Sequence, residues 1–413
     1  MPRRWRLAMV AAAISTAGAT VNGDAEKTVF RDGDLVVLLG AAFIEQEQAS
    51  GHVETLLTIQ HPGIDLRFRN LGWSGDTVYA HARSYFDGRS FTEKWIENPP
   101  EEGFERLRAQ LAELKPTLVV CCYGAVAAFD GEAGLPVFRK GYARMLDMVR
   151  DSTGARVTLV SPPPFENVGP PLPDHGETNR ILGLCRDASR ELAQERGLGW
   201  ADLFEALGEG QATPENGRFT HNGLLFHEPG YARVAPVLAG LLGCPPVPAT
   251  VDADVARGEI AFGGATAREI ELREDSIRFE LTAPALPGSP MGGATRQLRV
   301  RSLSPGEYRV LVDGANLMTV TAEHLERGIE VATGPEFDQA ERLRQVVVEK
   351  NRLYFHRWRP QNETYLFGFR KHEQGQNAAE VPQFDPLVRE REALIAGLNR
   401  PRTHRWVVEP ASR

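Results

Sequence analysis

Two patterns of apolar and polar positions divide the chain. Within residues 34–243, short apolar runs such as 35–39 and 118–123 predict buried strands. Stretches such as 104–114 and 181–196 repeat apolar residues at helical spacing and predict the helices between them. Further helices are predicted at 44–59 and 138–149, and further strands at 66–70, 157–160 and 200–204. Strands that alternate with helices pair in parallel, so we expect a doubly wound, flavodoxin-like α/β domain over residues 30–245.

The pattern changes after Pro245 and Pro246. Short alternating stretches at 260–262, 269–272, 277–281, 297–300 and 308–312 are separated by turn residues. They predict a small antiparallel β module over residues 250–333. A charge-rich helix is expected at 337–351, and residues 334–413 are expected to pack back on the α/β domain.

The N-terminus has the pattern of an export signal. Arginines at positions 3, 4 and 6 precede an apolar run at 7–14 and small residues at 17–19. This predicts a signal peptide over residues 1–24 and a periplasmic or extracellular protein. The run is too short for a comfortable membrane span. The alternative is an apolar N-terminal helix of the mature fold.

Charge and cysteine content narrow the classes of partner. The 413 residues carry a net charge of -8, which argues against nucleic acid and against an anionic membrane surface. The four cysteines, Cys121, Cys122, Cys185 and Cys244, fit no zinc spacing. Cys185 and Cys244 are candidates for a disulfide in an exported protein, and the sequence leaves that pairing open. No metal or cofactor is predicted.

Four short blocks in the α/β segment carry the candidate chemistry. They are LLGAA at 38–42, NLGWSGDT at 70–77, YGAV at 123–126 and THNGLL at 220–225. Their order and spacing resemble the sequence blocks of the SGNH/GDSL hydrolase superfamily, and the second block is the most specific. The resemblance implies an esterase in which a serine after the first strand attacks a carbonyl and a histidine of the last block activates it. It also implies an oxyanion held by backbone N–H groups and an asparagine.

Position by position, the chain departs from that pattern. The nucleophile position is Ala42, the asparagine position is Val126, and the last block has His221 for aspartate and Leu225 for histidine. Among the five functional positions only Gly75, the oxyanion-hole glycine, is retained. We therefore expect a catalytically degenerate protein that binds an acylated or anionic carbohydrate-like ligand.

Two other functions are compatible with the sequence. An active ester hydrolase or carbohydrate deacetylase could use a relocated pair of Ser74 and His221, or a metal held by His221, His227 and Asp76. Against this, Ser74 can be a turn residue and His227 a helix cap. The third function is that of a structural partner in a secreted complex, and the oligomeric state is left open.

The tail contains a second set of candidate binding residues. Guanidinium groups and an indole are suited to a carboxylate, a sulfate or a sugar. The alternative is a docking segment that joins the β module to the α/β domain. The residues are His356, Arg357, Trp358, Arg359, Asn362 and Arg370.

Overall fold

The computed structural model describes residues 28–84, 101–208, 217–368, 370–373, 375 and 377–411, so the predicted signal peptide lies outside the described residues. The first sheet has the order β2-β1-β3-β4-β5, and every neighbouring pair is parallel. Its strands are β1 Asp34–Gly40, β2 Leu66–Asn70, β3 Leu118–Cys122, β4 Arg156–Val160 and β5 Gly199–Ala201. Its helices are α1 Ala42–Ser50, α2 His52–Ile59, α3 Glu101–Leu114, α4 Leu135–Thr153, α5 Gly176–Arg196, α6 Leu203–Leu207 and α7 Glu228–Leu241. The predicted parallel α/β fold is confirmed.

The central strands are buried on both faces. Val36 and Leu38 of β1 pack with α2 and α7 in one apolar core, whereas Val37 and Leu39 pack with α3, α4 and α5 in another. Side chains of a strand alternate between the two faces of a sheet, so an uninterrupted apolar run is needed where helices cover both.

Two local boundaries differ from the sequence prediction. The helix expected over residues 44–59 is broken at Gly51, whose φ of 66° is a left-handed conformation that glycine adopts readily. The strand expected over 200–204 ends at Ala201, because the carboxylate of Asp202 accepts a hydrogen bond from the N–H of Glu205 and starts α6.

Residues 250–331 form most of a β module with two sheets. Its strands are β6 Thr250–Asp254, β7 Glu259–Gly263, β8 Thr266–Arg273, β9 Ser276–Thr282, β10 Arg296–Arg301, β11 Glu307–Val312, β12 Ala315–Thr321 and β13 Ile329–Val331, with α8 Ala322–Arg327 before β13. One sheet has the order β13-β10-β6-β7, and its β6 and β10 are parallel. The module is therefore mixed, whereas the alternating pattern predicted only antiparallel pairs.

The tail returns to both parts of the molecule. It contains α9 Pro335–Trp358, α10 Glu363–Leu366, α11 Phe384–Leu398 and β14 Thr403–Pro410. Helix α9 packs on α1, α2 and β2 of the α/β domain. Strand β14, however, lies between β11 and β9 in the second sheet, whose order is β12-β11-β14-β9-β8. The tail thus belongs partly to the β module.

All four cysteines are free and buried. Cys121 and Cys122 lie in β3, Cys185 lies in α5, and Cys244 follows α7. Burial raises the pKa of the thiols of Cys185 and Cys244 to about 12, so both are protonated at neutral pH. Their chemistry here is that of core residues.

Candidate functional site

Three of the four motif blocks leave the parallel sheet at one edge. In the strand register, Gly40 at the end of β1 is opposite Cys122 at the end of β3, and Leu38 is opposite Asn70 at the end of β2. The N–H of Trp73 donates to the carbonyl of Gly40 at 3.0 Å. The loops after β1, β2 and β3 therefore emerge together at the carboxyl ends of the strands, where open α/β sheets bind ligands.

The fourth block is a tight turn that packs against the first. The N–H of His221 donates to the carbonyl of Leu225 at 2.8 Å, and Thr220 and Phe226 form an isolated bridge. The ring of Phe226 lies 5.2 Å from that of Phe43, the residue after Ala42, between ring centroids. This contact brings the last block to the start of α1.

Apolar side chains occupy the positions where the resemblance implies nucleophile, base and asparagine. Ala42, Val126 and Leu225 offer no side-chain donor or acceptor. Next to the last two, Ala125 and Leu224 pack against a small apolar cluster that includes Phe165. This edge of the sheet thus carries aliphatic packing where a triad would need polar groups.

Two backbone donors remain at the same edge. Gly75 is exposed with a φ of 78°, and a Cβ built on it meets no atom within 4 Å. Ala42 is the first residue of α1, a position whose N–H has no partner within the helix. Within the described residues, neither N–H donates a hydrogen bond. Because these donors belong to the backbone, substitution of the side chains does not remove them.

Asp76 is a buried structural carboxylate. Its Oδ2 accepts hydrogen bonds from Nε of Arg83 at 2.8 Å and from the hydroxyl of Tyr123 at 3.1 Å. Its Oδ1 accepts from the N–H of Ala82 at 3.2 Å, and Nη2 of Arg83 donates to the carbonyl of Leu71 at 2.6 Å. Both charged side chains are fully buried. The pair stabilises the Gly75 loop, because it joins Leu71 and Ala82, on the two sides of that loop, to Tyr123, the residue after β3.

The structure places Ser74 and His227 in separate local roles. The N–H of Ser74 donates to Oε2 of Glu45 at 2.6 Å, and no hydrogen bond joins Ser74 to His221 in the described part of the chain. His227 is the N-cap of α7, and its Nδ1 accepts from the N–H of Gly230 at 2.8 Å. Its ring lies 5.5 Å from that of His221.

A metal ion has no evident set of ligands at this edge. Asp76 is engaged by Arg83, and Nδ1 of His227 is engaged by a backbone N–H. In the parts of the chain that the structure describes, no group of three or more His, Cys, Asp or Glu residues is arranged to hold one.

Two neighbouring residues of the tail, Trp358 and Arg359, reach the Gly75 loop. The guanidinium of Arg359 forms an ion pair with Glu45 of α1 and lies 3.5 Å from the ring centroid of Trp73. Trp358 makes an edge contact with Trp73 at 5.8 Å. Glu45 therefore joins the loop and the tail, because one carboxylate oxygen accepts from Ser74 and the other binds Arg359.

The other tail residues face partners within the tail or on α3. Arg357 donates to Asp385 at 3.0 Å and to Glu113 at 2.8 Å. Arg370 pairs with Glu373 and lies over the Tyr365 ring. The His356 ring is 5.8 Å from that of Phe384, and Asn362 is the N-cap of α10 with a φ of 61°. All three candidate arginines thus have carboxylate partners from this chain.

Sequence reasoning did not identify Glu166, which fixes the last block. This buried carboxylate accepts hydrogen bonds from the N–H groups of Phe219 and Thr220 and from the Thr220 hydroxyl. Its backbone N–H donates to Gly223, where a Cβ would lie 2.7 Å from the carbonyl of Glu166. The one available signal was an acidic residue inside the apolar segment 160–168.

Comparison with known proteins relates the α/β segment of the chain to a family. Residues 45–233 match the family model described as the GDSL-like lipase/acylhydrolase family, and the match begins just after Ala42. Among curated proteins, no sequence matches the chain. A gut microbial diltiazem-metabolizing enzyme is similar in structure with a TM-score of 0.70 at 15% identity, over 94% of this chain and 100% of that one.

Two esterase or hydrolase structures are more distant. Axe2, an acetylxylan esterase from Geobacillus stearothermophilus, has a TM-score of 0.36 at 15% identity, covering 51% of this chain and 95% of its own. The hydrolase LAE5 from the metagenome of Lake Arreo, Spain, has a TM-score of 0.36 at 19% identity, covering 52% and 98%. No described helix is both long and apolar enough to cross a membrane. The α/β domain, whose residues 45–233 match this family model and whose blocks meet at one edge of a parallel sheet, is thus a GDSL-like domain of the SGNH/GDSL hydrolase superfamily, and the chain has the corresponding fold.

Proposed function

We propose that this chain is a non-catalytic member of the superfamily that binds the acyl group of an acylated, carbohydrate-like ligand without cleaving it. The observation that carries the proposal is the combination of apolar side chains at Ala42, Val126 and Leu225 with N–H groups at Ala42 and Gly75 that have no partner among the described residues. Two donors that would stabilise an oxyanion are equally able to bind a carbonyl or carboxylate oxygen. Without nucleophile and base, the bound ester is not attacked.

The pairing of the arginines favours a neutral acyl group over an anion. Arg357, Arg359 and Arg370 each have a carboxylate partner from the chain. An anionic ligand would have to displace these carboxylates, and the released acidic groups would repel it. Arg359 and Trp73 still border the Gly75 loop, where the flat guanidinium and indole faces are suited to the apolar face of a sugar ring.

The decisive experiment separates binding from hydrolysis on the same ligand. Purified protein is incubated with p-nitrophenyl acetate and an acetylated oligosaccharide, and binding of the intact oligosaccharide is measured by calorimetry. We expect binding that requires the acetyl groups, with no release of acetate. Turnover that disappears in Ser74→Ala would support the active-hydrolase alternative. A glycan array to which the protein does not bind would favour a structural role.

A blocking variant tests the location. Ala42→Leu places a larger side chain beside the two free N–H groups and should abolish binding. Ala49→Leu makes the same change at an exposed position of the same helix and should leave binding unchanged. Equal binding by both variants would place the ligand elsewhere.

Export remains part of the proposal. The basic and apolar pattern of residues 1–24 supports removal of a signal peptide near Ala19 or shortly after it. Mass spectrometry of the protein recovered outside the cytoplasm should find the new N-terminus there. Exported protein that still begins at Met1 would contradict it.

A further inference from the structure

A small cavity lies away from the motif blocks, between α2, α7, α9 and the segment 287–294. Its volume is about 140 Å³. Alanines and glycines on its walls leave space that Leu56 and Phe337 do not fill, and Pro236 and Pro287 stiffen the backbone around it. The cavity is partly open to solvent, since Pro290 and Gly293 on its wall are exposed, and a space of roughly 150 Å³ is enough for a molecule of the size of benzene.

Two polar side chains of α2 stand on the wall of this cavity. His52 and Thr55 are one helical turn apart, and their side chains are buried. Nε2 of His52 and Oγ1 of Thr55 have no hydrogen-bond partner in the part of the chain that the structure describes. The nearest acidic atom to Nε2, Oε1 of Glu228, is 3.6 Å away, which is too far for a hydrogen bond. Buried polar atoms without partners are uncommon in folded proteins, and a bound molecule is one way to satisfy them.

Arg344, a cation on the wall of the cavity, is paired with carboxylates of this chain. Nε and Nη2 of Arg344 donate to Glu341, Nη1 donates to the carbonyl of Ser50, and Nη2 also lies 3.1 Å from Glu228. Every guanidinium nitrogen therefore has an acceptor. Burial, with the positive charge of Arg344, lowers the pKa of His52 to about 4, so its imidazole is neutral at pH 7. Arg344 therefore offers no free positive charge to an anionic ligand, and the two carboxylates beside it would repel one.

We propose that this cavity binds a neutral, ring-sized molecule with one hydroxyl group, such as a phenol or a small cyclic alcohol. A hydroxyl group donates one hydrogen bond and accepts others, so it can pair with both a neutral imidazole nitrogen and the Thr55 hydroxyl. The apolar body of the ligand would lie against Leu56, Ala235 and Phe337. This binding site goes beyond the proposed function, because none of its residues belongs to the four motif blocks.

The test uses the full chain with phenol, benzene and benzoate as probes in ligand-observed NMR titrations. We expect saturable binding in the order phenol, then benzene, with none for benzoate. Thr55→Val keeps the shape and removes the hydroxyl, so phenol should bind about fivefold more weakly, while benzene is unaffected. Ala235→Leu should fill the cavity and abolish binding of both, with the melting temperature maintained or raised.

Three results would overturn the proposal. They are phenol binding that survives Ala235→Leu, equal binding of phenol and benzene together with a neutral Thr55→Val, and a crystal structure in which only ordered water occupies the cavity in the presence of phenol. If Ala235→Leu fails to fold, the Thr55→Val comparison still decides. Acetylated oligosaccharide binding by the same variants should be unchanged, so failure here is distinguishable from failure of the proposed function.

Discussion

Lys350 of α9 is the buried cation by which the tail is attached to the α/β domain, and its removal should be costly. Its ammonium group binds Glu54 of α2 and donates to the carbonyl of Phe68 of β2 at 3.1 Å. The two charged side chains are only 1% and 4% exposed. Asn351 donates to the other oxygen of Glu54 at 3.0 Å. Burial lowers the pKa of Lys350, which the charge of Glu54 opposes.

Lys350→Met leaves the carboxylate of Glu54 buried without its counterion. Breaking a buried pair in this way costs about 3–5 kcal/mol. A second change, Glu54→Gln, removes the uncompensated charge and keeps an acceptor for Asn351, so the double variant should be more stable than Lys350→Met alone. Lys140→Met, on the exposed side of α4, is the matched control and should change stability by less than about 0.5 kcal/mol.

The assay is urea unfolding of the four proteins at pH 7, followed by tryptophan fluorescence. Two of the six tryptophans of the chain, Trp73 and Trp358, lie against each other where the tail meets the Gly75 loop and contribute a signal from this contact. The reasoning is refuted if Lys350→Met loses less than about 1 kcal/mol, or if the double variant is no more stable than the single one. Either result would mean that the carboxylate is solvated or protonated at little cost once the lysine is gone.

Three further predictions follow from charges and side chains already described. The pKa of His52 is about 4 in the folded protein against 6.5 for a free side chain. Acidification from pH 6.5 to 4 should therefore reduce the free energy of unfolding by up to about 1.4 kcal/mol per pH unit, and His52→Leu should remove this pH dependence. Burial would raise the pKa of Asp34, but hydrogen bonds from Arg156, Thr117 and the N–H of Arg31 lower it below 3.8. The ionised carboxylate therefore stabilises the folded protein above pH 3.8, and this contribution is lost as the pH falls through the lowered pKa. Asp34→Asn should therefore lose about 1–3 kcal/mol at pH 7 in thermal unfolding, and this loss should shrink as the pH falls below 3.8. Weak esterase activity on p-nitrophenyl acetate should appear only when all four family side chains are restored together, by Ala42→Ser, Val126→Asn, His221→Asp and Leu225→His. Activity from Ala42→Ser alone would show that the position of the base has been misassigned.

The alternating pattern was sufficient for the parallel domain, because its signal is local. The central strands β1 and β3 are runs of apolar residues, β2 alternates apolar and polar residues, and each long helix repeats apolar residues every three or four positions. The positions of β14 and α11 could not be predicted in this way. The alternation in 403–410 indicates a strand and says nothing of its neighbours, which are β11 and β9 from far earlier in the chain.

The motif blocks were sufficient to predict that the candidate site lies at the carboxyl ends of the strands. The ion pairs around this site could not be predicted, because they join residues that are distant in the sequence. Arg359 looked like a free cation in sequence, but its partner, Glu45, is 314 residues away. The same holds for Arg357 and Glu113, which are 244 residues apart. No periodicity links residues so far apart in the chain. The sequence can therefore suggest an arginine as a ligand-binding residue without revealing the carboxylate that forms an ion pair with it. The resemblance had already nominated Gly75 and backbone N–H groups for an oxyanion hole, but whether the N–H groups of Ala42 and Gly75 are available depends on main-chain geometry, which the sequence does not give.

The position of β14 has a consequence for how the nascent chain folds. Until residues 403–410 are synthesised, the hairpins β8–β9 and β11–β12 are separate and each presents an unpaired edge. Such edges readily pair with other chains. The helices α9 and α11 precede β14 and pack together. They hold β14 near the space between β9 and β11, which lowers the entropic cost of bringing these distant segments together. Molecules interrupted before Thr403 would keep both edges open, and we expect them to self-associate through strands that the complete chain covers with its own C-terminal segment.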